Sequence, residues 1–362
     1  MPSTRCVAVP FAALCAVSLA AQTPQHLVVP AAYTNTDAVS YQWIAGASRD
    51  VRQQTLIGAN HLTSLVGHVL LAVELRRTAA NEVYQGGTAD LTVHLSTSPN
   101  EPLSCSPSFA ANTGPDEVQV WTGAVTLPTS PIDVGPSVAW SANNTVRIAF
   151  STPFAYLGGT LCVDVIGHPV SGQNADWWMA DAMFEDIKGT VTDLGGGCGP
   201  YGGAQSKWSY VSPRTLLAGA QARFFAYGAP WTIGVAVFGD GMTTGIPMSM
   251  IGFPSPPACE LHLSSIVVMS PVIFEPDPNP LLASRGGLGD VRLGFVNDGS
   301  FLGLTFTTQW LEIDQWQTSN AIEWTSSAAV PQLGMALVEG HPSEATGEVS
   351  VHLAHVLRFE YQ

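Results

Sequence analysis

Lysine is almost missing from these 362 residues: only Lys188 and Lys207 occur. Charge of either sign is scarce. Asp, Glu, Lys and Arg make up 11% of the chain, where an ordinary soluble domain carries roughly 25%. The charge present is mostly acidic, 13 Lys+Arg against 28 Asp+Glu, for a formal net charge of −15. That balance argues against nucleic acid as a partner, because such binding needs clustered cations to displace phosphate counterions. It argues equally against a polybasic membrane-surface protein. Disorder does not fit either, since 46% of the residues are hydrophobic and disordered chains are apolar-poor. No stretch beyond the first 21 residues approaches the ~20 apolar residues of a spanning helix, so no membrane insertion is expected.

Catalytic signatures are missing too. There is no G-x-S-x-G nucleophile elbow, no H-E-x-x-H and no Gly-Lys-Ser/Thr phosphate loop. No C-x-x-C occurs, which removes the common zinc spacing. His352 and His355 would share a helix face. On the alternating strand read below they point to opposite faces, and His355 reads as a core histidine. No cofactor is expected beyond the calcium considered below.

What is present begins with an export pattern. One Arg, an apolar run from Cys6 to Leu19 and the small residues Ser18 and Ala20 make residues 1–21 a signal peptide. The expected location is therefore secreted, extracellular or at the cell surface. Four cysteines lie beyond it: Cys105, Cys162, Cys198 and Cys259. An even count after an export signal favours disulfides. Three connectivities exist, and the pairing Cys105–Cys162 with Cys198–Cys259 is preferred because it keeps each bridge inside one domain.

Period-2 alternation dominates. Leu161, Val163 and Val165 oppose Cys162 and Asp164. Val349, Val351, Leu353, His355, Leu357, Phe359 and Tyr361 share one face of the last strand region. Gly- and Pro-rich turns separate many short runs. The fold class is therefore all-β, with two consecutive jelly-roll-like β-sandwich domains after the signal peptide. The glycine cluster Gly195-Gly196-Gly197-Cys198-Gly199-Pro200 reads as the linker, giving domains over 22–194 and 195–362. Residues 176–187 are the only candidate helix, with a strand and loop as the alternative.

Two weaker signals concern binding. Asp176, Asp181, Glu185 and Asp186 cluster around Trp177-Trp178, and hard oxygen ligands at that spacing suit extracellular Ca²⁺. Solvated turn carboxylates are the preferred reading. Adjacent Trp177 and Trp178 on a strand would face opposite ways, so one could stack on a glycan or anchor a partner. Packing is preferred for both, and Trp310, Trp316 and Trp324 read as core.

The segments Gly195-Gly196-Gly197-Cys198, Cys259-Glu260-Leu261-His262-Leu263 and Gln309-Trp310-Leu311-Glu312-Ile313-Asp314 with Thr318-Ser319-Asn320 form a pattern. It resembles the C-terminal domain of large paralogous families of secreted planctomycete-type bacterial proteins. Leu91–Pro99, Phe150–Tyr156 and Leu161–Asp164 are similar to the domain upstream of it. The resemblance implies a secreted β-rich fold and a Cys198–Cys259 bridge, and it assigns no catalytic residue. The functional expectation is a non-enzymatic extracellular protein with a structural, adhesive or binding role. Its partners would be a glycan or a second copy met through strand edges that lack the common lysine guard. The alternative is a secreted carbohydrate-active hydrolase using paired carboxylates.

Overall fold

The computed structural model describes residues 23–38, 40–172, 178–201, 205–206, 209–276 and 286–362. Residues 1–21, read above as an export signal, and Asp176 and Trp177 lie outside them. The fold is all-β and sandwich-like, built from antiparallel sheets. Among the described residues no helix is long and apolar enough to cross a membrane.

The two sandwiches are nested rather than consecutive. The first has a six-stranded sheet in the order Glu348–Ser350, Met335–Gly340, Val51–Ile57, Thr160–Pro169, Gly87–Ser98, Val118–Leu127. A four-stranded sheet faces it: Gln25–Val29, Leu357–Tyr361, His68–Arg76, Thr145–Tyr156. A third, short sheet joins Ser40–Trp43, Met179–Phe184 and Leu353–His355. The last thirty or so residues therefore belong to the N-terminal sandwich. Met335 pairs with Ile57 and Phe359 with both Leu27 and Val73.

The second sandwich is inserted between Phe184 and Met335. Its larger sheet runs Thr190–Gly195, Ala321–Thr325, Thr305–Glu312, Ile233–Gly239, Val268–Ile273. Its smaller sheet runs Ser209–Val211, Gln221–Gly228, Gly287–Gly294, Glu275–Pro276. The chain enters and leaves this unit on adjacent antiparallel strands, with Thr190 opposite Thr325. Entry and exit so close together let a domain be inserted without stretching its host.

These facts correct the expected division into 22–194 and 195–362. The Gly195–Pro200 segment is not a linker. It ends a strand of the inserted sheet, with Gly195 and Gly196 at φ +82° and +85°, and carries Cys198 into a disulfide with Cys259. Glycine composition resembles a linker, but here it serves a left-handed turn. Of the candidate helix 176–187, the described residues 178–187 hold a strand, Met179–Phe184, not a helix.

The core of the first sandwich is mainly aliphatic, with Ile57, Val73, Leu91, Val93, Ile148, Val163 and Phe359 buried between the sheets. The opposite face of the large sheet is also covered. Leu56, Cys162, Ala336 and Val338 pack under Phe109, Val349 and Val351 together with Leu217 and Ala220 of the inserted unit. The alternation of Thr160–Pro169 marked Cys162 and Asp164 as the wet face, yet both are buried. The second unit is docked there, so the central strands of the sheet have two dry faces.

Candidate functional site

The carboxylates that the sequence offered as a calcium set do not converge. Asp181 is fully buried and paired with Arg76, which is also fully buried. It accepts the Ala38 N–H at 2.8 Å, while Arg76 also donates to the carbonyls of Val138 and Thr36 at 2.9 and 2.6 Å. The guanidinium lies 4.8 Å from the Trp140 ring centre. Burial raises the pKa of Asp181, and Arg76 opposes that shift. Neighbouring Asp37 is pushed up to about 6, first by burial and then by the nearby Asp181 charge. Glu185 instead accepts the backbone N–H groups of Gln332 and Leu333, at 2.9 and 3.1 Å. It ties the exit of the inserted unit to its host. Asp186 is exposed, 4.0 Å from Lys188. One strand put Asp181 inward and its continuation spread the other two, so no cation site forms from these three.

Trp178 is no surface platform. It is wholly buried, edge-on to Tyr84 at 5.9 Å, and its Nε1–H donates to the Pro128 carbonyl at 2.8 Å. The packing reading holds for it, as for the buried Trp310 and Trp324. Trp316 is only half-buried, 4.6 Å from Phe253 at a turn.

The cysteines divide. Cys198 and Cys259 are bonded in a small cluster with Met248, under a hairpin of Gly241–Pro247 and Glu260–Leu263. Cys105 and Cys162 are free buried thiols, which corrects the expected second bridge. Both sit in the apolar layer between the sandwiches. Burial drives both thiols toward the neutral form, Cys105 up to about 12, and a neutral thiol is a poor nucleophile.

His355 is a core histidine as expected, with Nε2 at 3.2 Å from the Trp43 carbonyl. His352, expected on the wet face, is buried as well. Its ring lies edge-on to Phe184 at 5.3 Å, and Arg214 of the inserted unit lies over the same Phe184. Burial, with the Arg214 charge second, lowers its pKa to about 4.

Among the described residues, His26, Glu74 and Glu360 are the one group close enough to share a metal ion. The two carboxylates are already neutralised there. Glu74 pairs with Arg358 and Arg147, and Glu360 with Arg147 at 2.8 Å. A cation would have to displace two guanidinium groups. A polar cleft of about 420 Å³ is lined by Arg49, Asp50, Glu339 and His341, two carboxylates among them. Glu339 accepts from Arg49, Gln42 and Gln53 at 2.8, 2.6 and 2.8 Å, and Asp50 is 2.8 Å from His168. A glycosidase acid sits in an apolar setting; Glu339 is instead committed to three hydrogen-bond donors.

The least guarded surface is one that motif reasoning missed. Among the described residues, Val268–Ile273 is the edge of the larger inserted sheet, paired on one side only, to Ile233–Gly239. Val268, Met269 and Ile273 are 50%, 62% and 56% exposed, and Ile266, Val267, Ile233 and Trp231 extend the apolar surface. Its signal was readable: no Asp, Glu, Lys or Arg occurs from Leu261 to Phe274. No protein-family model matches the chain, and no curated protein or solved structure matches it.

Proposed function

We propose that this protein is a non-enzymatic extracellular component with a structural, adhesive or binding role, exercised through the strand edge Val268–Ile273. The observation behind this reading is that edge itself, apolar, uncharged and, among the described residues, unpaired along its outer side. Native sheets blunt such edges with lysine, proline or a covering loop; here only Pro271 interrupts the row. The free backbone groups offer hydrogen bonds to an added strand, and the side chains offer apolar area. The buried ionisable groups support the same reading, since their partners hold them in structural roles. Export agrees with the Cys198–Cys259 disulfide. The test is sedimentation of the purified protein over a range of concentrations, beside Val268→Lys and Met269→Lys. Association that the wild type shows and both variants lose is the expected result. A wild type that stays monomeric and captures neither glycans on an array nor extended peptides would sink the reading.

A further inference from the structure

The inserted sandwich is open at one end. A cleft of about 270 Å³ lies between its sheets there, walled by Phe238, Leu293, Phe295, Phe301, Phe306 and Trp324. Val267 and Val268 also line it and are exposed, so they form its rim. The one polar group these side chains carry, the Trp324 Nε1–H, already donates to Thr308 Oγ1 at 2.9 Å. Nothing in the lining side chains can therefore repay a polar ligand for the water it leaves. An apolar cavity of about 150 Å³ already stays dry and takes up benzene, and this one is larger and open.

We infer that the cleft binds an unbranched alkyl chain bearing a neutral or cationic head group. The shape is that of a slot between two sheets. Ile266, Val267, Val268 and Met269 continue it along the surface as an exposed apolar row, which suits a linear hydrocarbon. The head group follows from charge. Exposed Asp240 lies two residues beyond Phe238, and exposed Asp298 lies between Phe295 and Phe301. The nearest arginine on the lining strand, Arg292, is taken by Asp290 at 3.3 Å. A carboxylate head would enter an acidic surround. The inference does not depend on edge association, because it uses the inner wall and not the outer hydrogen-bonding side of Val268–Ile273.

The test is calorimetric titration of the full protein with hexyl-, octyl- and decyl-trimethylammonium and with the matching alkanoates, all below micelle formation. Binding should tighten about fourfold per methylene, the factor to which ~0.8 kcal/mol corresponds, and alkanoates of equal length should bind more weakly. Leu293→Phe, which fills the slot, should weaken binding at least tenfold. Ile273→Lys, at the far end of the same edge and outside the cleft lining and the row, should leave the chain-length trend intact. Should Leu293→Phe fail to fold, a brominated decyl chain replaces it: quenching of the wild type that Trp324→Phe abolishes supports the site. Affinity independent of chain length, quenching unchanged in Trp324→Phe, or uptake seen only with dimer formation would each overturn the inference. The last result would assign the cleft to a side chain of a second copy.

Discussion

The two sandwiches solve the same packing problem with different materials. The host sandwich fills its centre with Val, Leu and Ile and buries ion pairs at its margins: Arg76 with Asp181, Arg358 with Glu74, Arg52 with Asp164. The inserted sandwich fills its centre with rings. Phe224 lies 5.2 Å from both Phe238 and Trp324, and Phe295 stacks on Trp324 at 5.8 Å. Its arginine–carboxylate pairs among the described residues, Arg223 and Arg292 with Asp290, are about a third exposed. Large rings cover area with few residues but tile it less evenly than branched aliphatics. The open cleft and the bare apolar edge both belong to the ring-filled unit. The host, by contrast, has the central strands of its large sheet covered on both faces and Arg76, Asp181 and Glu74 buried in ion pairs, which makes it a mount for the other unit.

The largest expected effects break this contrast directly. Arg76→Ala leaves the Asp181 carboxylate buried without its partner and should cost about 3–5 kcal/mol, read by denaturant unfolding. Phe224→Ala opens a cavity in the ring cluster and should cost a similar ~3–5 kcal/mol, but in the inserted unit. If the units melt as separate transitions, each substitution should move only its own. Next comes the disulfide, which closes a loop of sequence separation 61. Its removal by Cys198→Ser with Cys259→Ser should cost about 2–5 kcal/mol. Thiol titration of the denatured protein lacking residues 1–21 should find two thiols, Cys105 and Cys162; none would restore the second bridge.

Smaller effects concern pH. His352 has a folded pKa of about 4 against an ordinary 6.5. Its contribution to stability is complete above 6.5 and is lost as pH falls toward 4. His352→Gln should therefore make unfolding less sensitive to acid between those values. Asp37 behaves oppositely, raised from 3.8 to about 6: its contribution is complete below 3.8 and is lost as pH rises through 6. Asp37→Asn should leave stability at pH 7 equal or higher and flatten the trend from 4 to 6. Both are checked by thermal unfolding across pH. The smallest change is expected at Arg223→Ala. Its pair with Asp290 is screened by solvent, so the loss should stay within about 1 kcal/mol, in contrast to Arg76.

Much of this was legible residue by residue. Alternation in Leu161–Val165 and in Leu357–Tyr361 located real strands with their core side chains correct, but the run read as one strand from Val349 to Tyr361 is three strands in three sheets, where Ala354 and His352 are buried and Leu353 only partly so. Cys198 and Cys259 pair as the within-domain preference had it. The same patterns misled where a second partner intervened. Cys162 and Asp164 looked solvated because period 2 says which side chains share a face, not what lies over that face. Asp181 looked like a calcium ligand because its partner Arg76 is over a hundred positions away. The Gly195–Pro200 cluster looked like a linker because turn and linker use the same residue.

The amino-acid order alone determined the all-β class, the alternation of strands such as Leu161–Val165 and Leu357–Tyr361, and the absence of charge from Leu261 to Phe274. These are local properties: period 2 and composition act within a few residues. Only the tertiary structure decided that the chain's last strands return to the first sandwich, that the central strands of the large sheet are dry on both sides, and that the uncharged segment lies on an edge. Strand partners are chosen by the burial of whole faces across long separations. Phe359 between Leu27 and Val73 is an example, and no window of neighbours contains that choice.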